Sequence, residues 1–138
     1  MSKYIFILST LILMLFTGCT NTEENVKASL GEEFSLQIGQ SAQINKERLE
    51  IRFDKVLADS RCPKGVTCIW AGEVRCLLKV KDKETWTDLE IVEPGLTNPP
   101  SVIINRQYKI FYHIEPYPEA GKEITSDGYR LALKVETN

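Results

Sequence analysis

Tyr108-Lys109-Ile110-Phe111-Tyr112-His113-Ile114-Glu115 decides the fold class. Tyr108, Ile110, Tyr112 and Ile114 take every second position and alternate with Lys109, Phe111, His113 and Glu115. A period of two places all four on one face of an extended chain, which is the pattern of a strand buried on one side. Tyr129, Leu131, Leu133 and Val135 repeat it against Arg130, Ala132, Lys134 and Glu136. Working outward, Phe34, Leu36 and Ile38 alternate with polar residues. So do Leu49, Ile51, Phe53 and Val56, with an irregularity expected near Asp54-Lys55. Val74, Cys76, Leu78 and Val80 form another such face, Trp86 to Val92 a return strand, and Val102 to Ile104 a short apolar run. Turn residues punctuate these segments at Asp82-Lys83, Pro94-Gly95, Asn98-Pro99-Pro100 and Pro116 to Gly121. About seven short strands with such punctuation predict an all-β domain, an Ig-like or related Greek-key β-sandwich. Residues 41–48 read as a turn or a further short strand. Residues 119–124 have room for one helical turn, and no longer helix is expected.

The segment before the domain carries a different signal. Lys3 precedes an apolar run from Tyr4 to Phe16, and Thr17-Gly18-Cys19 follows. A positive residue, an apolar stretch and small residues ahead of a cysteine make a bacterial lipoprotein signal, cleaved so that Cys19 becomes the lipidated first residue. Phe16 departs mildly from the pattern, since Leu is usual there. The run is shorter than the roughly 20 residues that span a bilayer as a helix, so a permanent transmembrane anchor is the weaker reading. An ordinary signal peptide cut nearby is the other alternative. Residues 1–18 are thus expected to be removed, 19–32 to form a lipidated tether, and 33–138 to fold as one domain. The expected location is the cell envelope, outside the cytoplasm. Thr20 is not the Asp that retains lipoproteins at the inner membrane, so a two-membrane source implies the outer membrane.

Charge excludes some functions. The chain is −2 at pH 7 and carries 17 basic and 19 acidic residues. It becomes one unit more negative once Lys3 leaves with the signal. No basic run interleaved with aromatics is present, so no nucleic-acid partner is expected.

Four cysteines occur. With Cys19 committed to lipid, Cys62, Cys68 and Cys76 face an oxidising compartment. Cys62 and Cys68 bracket a turn-rich loop and are the preferred disulfide. Cys76 sits in a strand pattern as a small apolar residue. Pairings with Cys76, reduced thiols or bound metal remain as alternatives.

The densest segment is Asp59-Ser60-Arg61-Cys62-Pro63-Lys64-Gly65-Val66-Thr67-Cys68-Ile69-Trp70-Ala71-Gly72. It resembles a group of small exported bacterial proteins, often lipoproteins, that share a D-S-R-C-P-x4-C-x-W-x-G signature. The resemblance extends in layout to Pro116-Tyr117-Pro118 and the closing strand, and it implies no activity. Read from its residues, the motif is structural first. Pro63 and Gly65 set a turn, the cysteines staple it, and Trp70 is expected to cover the staple and the sandwich end. Asp59 and Arg61 would pair with each other or with loop backbone. The functional reading makes the loop a recognition surface, with Arg61, Lys64 and Trp70 as contacts for a protein, peptide or glycan. Asp127-Gly128-Tyr129 offers a tyrosine corner, the hydroxyl bonding the backbone of a crossing connection. A half-buried Tyr after a turn is the alternative.

Catalysis and metal binding have thin support. His113 is the single histidine, and no G-x-S-x-G, phosphate loop or H-E-x-x-H occurs. The cysteines lack C-x2-C spacing. No cofactor is expected. The chain reads as a membrane-tethered, non-catalytic binding module, with an exported inhibitor or chaperone-like module as the runner-up. A small metal-binding protein or an enzyme ranks below both.

Overall fold

The computed structural model describes residues 25–95 and 99–138. Nine strands run in chain order: β1 (Val26–Ala28), β2 (Glu33–Gln37), β3 (Ser41–Ile44), β4 (Leu49–Asp59), β5 (Glu73–Asp82), β6 (Thr85–Pro94), β7 (Ser101–Ile104), β8 (Tyr108–Glu115) and β9 (Arg130–Thr137). The chain is all-β, as its alternation requires. The only helical turn among the described residues is a 3-10 turn at Ser126–Gly128, just beyond the stretch expected to hold one.

The strands form two sheets, in the orders β1-β3-β4-β5-β6 and β2-β9-β8-β7. In the second sheet the earliest strand lies beside the last, which is Greek-key order. The first sheet is a sequential meander from β3 to β6, flanked by β1 running parallel to β3. Of the two sandwich types expected, the arrangement is therefore the related Greek-key one, because an immunoglobulin domain does not keep four consecutive strands in one sheet.

Alternation converts directly into a core. Leu49, Ile51 and Phe53 of β4, Val74, Cys76, Leu78 and Val80 of β5, and Ile91 of β6 point inward. Ile110 and Ile114 of β8 and Leu131, Leu133 and Val135 of β9 meet them from the other sheet, and all belong to one cluster. Each fully buried Leu, Ile or Phe contributes on the order of 1.5–3 kcal/mol. Polar bonds between sheets fix their alignment. The Tyr112 hydroxyl donates to the Val92 carbonyl at 2.9 Å, and the Tyr108 hydroxyl donates to Glu47 at 2.6 Å.

The expected irregularity in β4 is real and double. Its register with β5 shifts between Phe53 and Lys55 and again between Val56 and Ala58. Bulges at this spacing bend and twist a strand. They carry β4 beyond β3, whose pairing stops at Ser41 opposite Arg52, and on to Asp59 at one end of the sandwich.

One boundary needs correction. Residues 26–28, expected in the tether, are strand, and Ala28 is 1% exposed within the core. Three residues are too few to show a period of two, and the pairing that orders them is supplied by β3. The folded domain therefore includes Val26–Ala28. Cys19 and the signal lie outside the described residues.

Candidate functional site

The stapled loop joins β4 to β5, so its two ends sit side by side at one end of the first sheet. Ladder-like bonds close its root: Ser60 N–H donates to Glu73 O and Cys62 N–H to Ala71 O, both at 2.8 Å. The Ser60 hydroxyl also donates to Glu73 O at 3.1 Å and accepts from Glu73 N–H at 3.2 Å. Gly72 is required sterically. Its φ is +68°, and a Cβ there would lie 1.8 Å from the Ser60 carbonyl oxygen. Side chains of any size are barred at that contact. A second pair of bonds ties the loop to the β8–β9 connection, from Lys64 N–H to Pro118 O at 2.9 Å and from Ala120 N–H to Lys64 O at 3.0 Å.

Arg61 is the anchor of this root and is 3% exposed. Its Nε donates to Asp59 Oδ1 at 2.9 Å and its Nη2 to Asp59 Oδ2 at 2.7 Å, a two-point ion pair. Its remaining donors reach the other sheet, Nη1 to Ile114 O at 2.8 Å and Nη2 to Pro116 O at 3.0 Å. Asp59 Oδ1 also accepts the Arg61 N–H at 3.1 Å. A buried guanidinium is tolerated because each of its three nitrogens meets an acceptor. The Tyr117 ring packs beneath, 5.1 Å from the guanidinium carbon and 5.7 Å from Lys64 Nζ. The Tyr117 hydroxyl is buried and without a partner among the described residues.

Three sequence expectations change here. Arg61 is not a recognition contact, because burial and the Asp59 pair consume its donors. The Tyr129 hydroxyl does reach back across the sandwich, but to the Asp59 side chain at 3.2 Å rather than to backbone. The carboxylate of Asp59 stands where a corner would offer a carbonyl, and burial together with that carboxylate pushes the Tyr129 phenol up to about 12. Trp70 does not cover the staple. It is 73% exposed, beside Ile69 at 106% and Val66 at 50%.

The staple itself is as expected. Cys62 and Cys68 are bridged, with Cα atoms 5.9 Å apart. Lys64 is exposed at the loop's base. Cys76 is a free thiol in the core, and burial raises its pKa to about 12. A thiol so placed is a poor nucleophile or metal ligand.

Val66 and Ile69 were not singled out from the sequence. Their signal was available: two apolar residues in and just beyond a cysteine-closed, turn-rich loop have no strand face on which to be buried.

Other clusters make weaker sites. His113 Nδ1 lies 2.5 Å from Glu93 Oε1, and Glu93 Oε2 accepts the Ile114 N–H at 2.6 Å. This carboxylate caps the edge of β8 beyond the end of β7 and bridges the two sheets. A groove of about 490 Å³ lies between the bulged part of β4 and the 124–129 segment, lined among others by Ile38, Leu57 and Ile124. Among the described residues no group of three His, Cys, Asp or Glu is placed to hold a metal ion. No described helix is long and apolar enough to cross a membrane. Comparison of the chain with known protein families, curated proteins and solved structures returns no match.

Proposed function

We propose that this protein is a lipoprotein of the bacterial cell envelope, held outside the cytoplasm by acyl chains on Cys19. Its β-sandwich is a non-catalytic binding module that works through the stapled loop. The lipid anchor rests on the Lys3, apolar-run and Thr17-Gly18-Cys19 pattern. The binding role rests on one observation: the loop buries its charged root and exposes its apolar tip. Val66, Ile69 and Trp70 stand outside the core, on a loop closed by the Cys62–Cys68 bridge and tied to two neighbouring segments. The bridge encloses Val66 and ends one residue before Ile69, which limits the entropy the tip loses when a partner covers it. The tip's surface offers apolar contact and few hydrogen bonds, which suits an apolar or amphipathic surface better than a charged polymer.

A photo-crosslinking residue at position 69 in living cells tests the reading, with position 84 in the β5–β6 hairpin as control. Adducts to an envelope component from position 69, and not from position 84, are the expected result. Equal labelling from both ends, or none from either in a chain that fractionates with membranes, would overturn it. Replacement of Cys19 by Ser tests the anchor separately and should release the chain from the membrane fraction.

A further inference from the structure

We propose that Val66, Ile69 and Trp70 form a docking tip that seats in the interface of the same bilayer that holds the lipid on Cys19. The sandwich then stands with its stapled end against the membrane. The inference rests on the lipid-anchored reading above and names the bilayer surface as the partner of that loop.

Strand direction carries the argument. β1 pairs parallel with β3, Val26 opposite Ala42 and Ala28 opposite Ile44. β3 pairs antiparallel with β4, Ala42 opposite Ile51. Followed backward from Val26, the chain therefore heads toward the end of the sandwich where β4 reaches Asp59 and the stapled loop begins. Length agrees with direction. From Ile51, level with Val26, β4 climbs to Asp59 over roughly 20–25 Å at about 3.3 Å per residue, shortened by its bulges. Seven residues, from Cys19 to Val26, can span at most about 23–25 Å. At full extension Cys19 therefore comes level with the root of the loop, whose tip lies beyond it, and the most exposed large apolar side chains at that end are those of the loop, with Leu57 of β4 at 41% the other.

The chemistry of the tip fits the interface rather than the hydrocarbon interior. An indole is suited to the headgroup boundary, where one part of it is apolar and its N–H stays hydrated. Among the described residues, no backbone–backbone hydrogen bond is made by residues 66–70. Their amides need water or lipid ester and phosphate oxygens, which the hydrocarbon interior lacks. Around the base, Lys64 and Lys122 stand among Glu73, Glu119 and Glu123, so no excess of basic charge faces the membrane, and Lys122 pairs with Glu119. Seating is then apolar in origin and should change little with salt or with anionic lipid.

The test uses the full chain with its signal, purified from membranes and reconstituted in phosphatidylcholine vesicles, with acylation of Cys19 read from intact mass. Trp86→Phe leaves Trp70 as the single tryptophan, and Trp70→Phe leaves Trp86 at the opposite end of β5–β6. Lipids with a nitroxide near the headgroup should quench Trp70 strongly, those with one near the chain end less, and neither should quench Trp86. Ile69→Ser should shift Trp70 emission to the red and lose most of that quenching. An acylated chain whose Trp70 is quenched no more than Trp86 overturns the docking tip and leaves the lipid anchor standing; a protein partner for the loop would give that result. The Cys19→Ser chain, added to the same vesicles, separates the two readings. Quenching of Trp70 there supports the tip without the acyl chains, and absence of an acyl mass on the unmutated chain overturns the anchor alone.

Discussion

The root and the tip of the stapled loop are about ten residues apart in sequence and opposite in character. At the root, Asp59 and Arg61 are charged and buried, and each nitrogen of the Arg61 fork meets a partner. At the tip, Val66, Ile69 and Trp70 are apolar and exposed. This reverses the usual partition, in which apolar groups are inside and unpaired charges outside. The contrast separates two tasks within one motif: the D-S-R portion docks the loop on the fold, and the C-x-W portion presents it.

Breaking the root should cost most. Arg61→Ala leaves the buried Asp59 carboxylate without its cation and leaves the Ile114 and Pro116 carbonyls without their guanidinium donor. A loss of about 3–5 kcal/mol is expected, read from the midpoint of urea unfolding. Arg61→Lys keeps the charge and loses the two-point geometry, so it should recover only part of that loss. If Arg61→Ala unfolded at the same denaturant concentration as the parent, the root would not be the anchor described.

Opening the staple comes next. Paired Cys62→Ser and Cys68→Ser frees a short loop, for which the chain-entropy relation gives about 2 kcal/mol. The same change should diminish crosslinking from position 69 more than stability, because the tip loses its fixed shape while the root remains.

Tyr129→Phe removes one hydrogen bond to Asp59 and should cost about 1 kcal/mol, seen as a lowered melting temperature. Its pH dependence sharpens the assignment. The Tyr129 and Tyr108 phenols are both pushed up to about 12 from the ordinary 10.0, by burial first and then by the Asp59 and Glu47 carboxylates. A group whose pKa is higher in the folded state stabilises the fold fully below the unfolded value and loses that contribution as pH rises. Stability should therefore decline between pH 10 and about 12, and more gently in Tyr129→Phe. Absorbance of ionised tyrosine against pH, folded and in denaturant, gives the comparison directly.

The smallest effect on folding belongs to the tip. Ile69→Ser and Trp70→Ala, being exposed, should leave stability within about 0.5 kcal/mol of the parent while abolishing contacts made from the loop. A large loss of stability from either would mean that the tip packs on the sandwich after all.

Much of the architecture is legible residue by residue. Tyr108 to Glu115 and Tyr129 to Glu136 name their buried faces, because a period of two leaves each side chain one side of a sheet to occupy. The irregularity near Asp54-Lys55 shows where that period slips. The Cys62–Cys68 pairing follows from turn residues between two close cysteines. β1 was hidden, since three residues show no period and owe their order to β3. The fate of Arg61 was hidden as well. Asp59, two residues away, is a visible partner, but the Ile114 and Pro116 carbonyls, 53 and 55 positions on, are brought near only when the second sheet closes over the first.

The sequence by itself determined the strand faces and the staple, because each depends on neighbours within a few residues. Only the tertiary structure decided which half of the loop is buried. That choice turns on hydrogen-bond acceptors at the sandwich end. Asp59 and the Ile114 and Pro116 carbonyls accept from the Arg61 guanidinium there, while Trp70 faces outward with Ile69 and Val66.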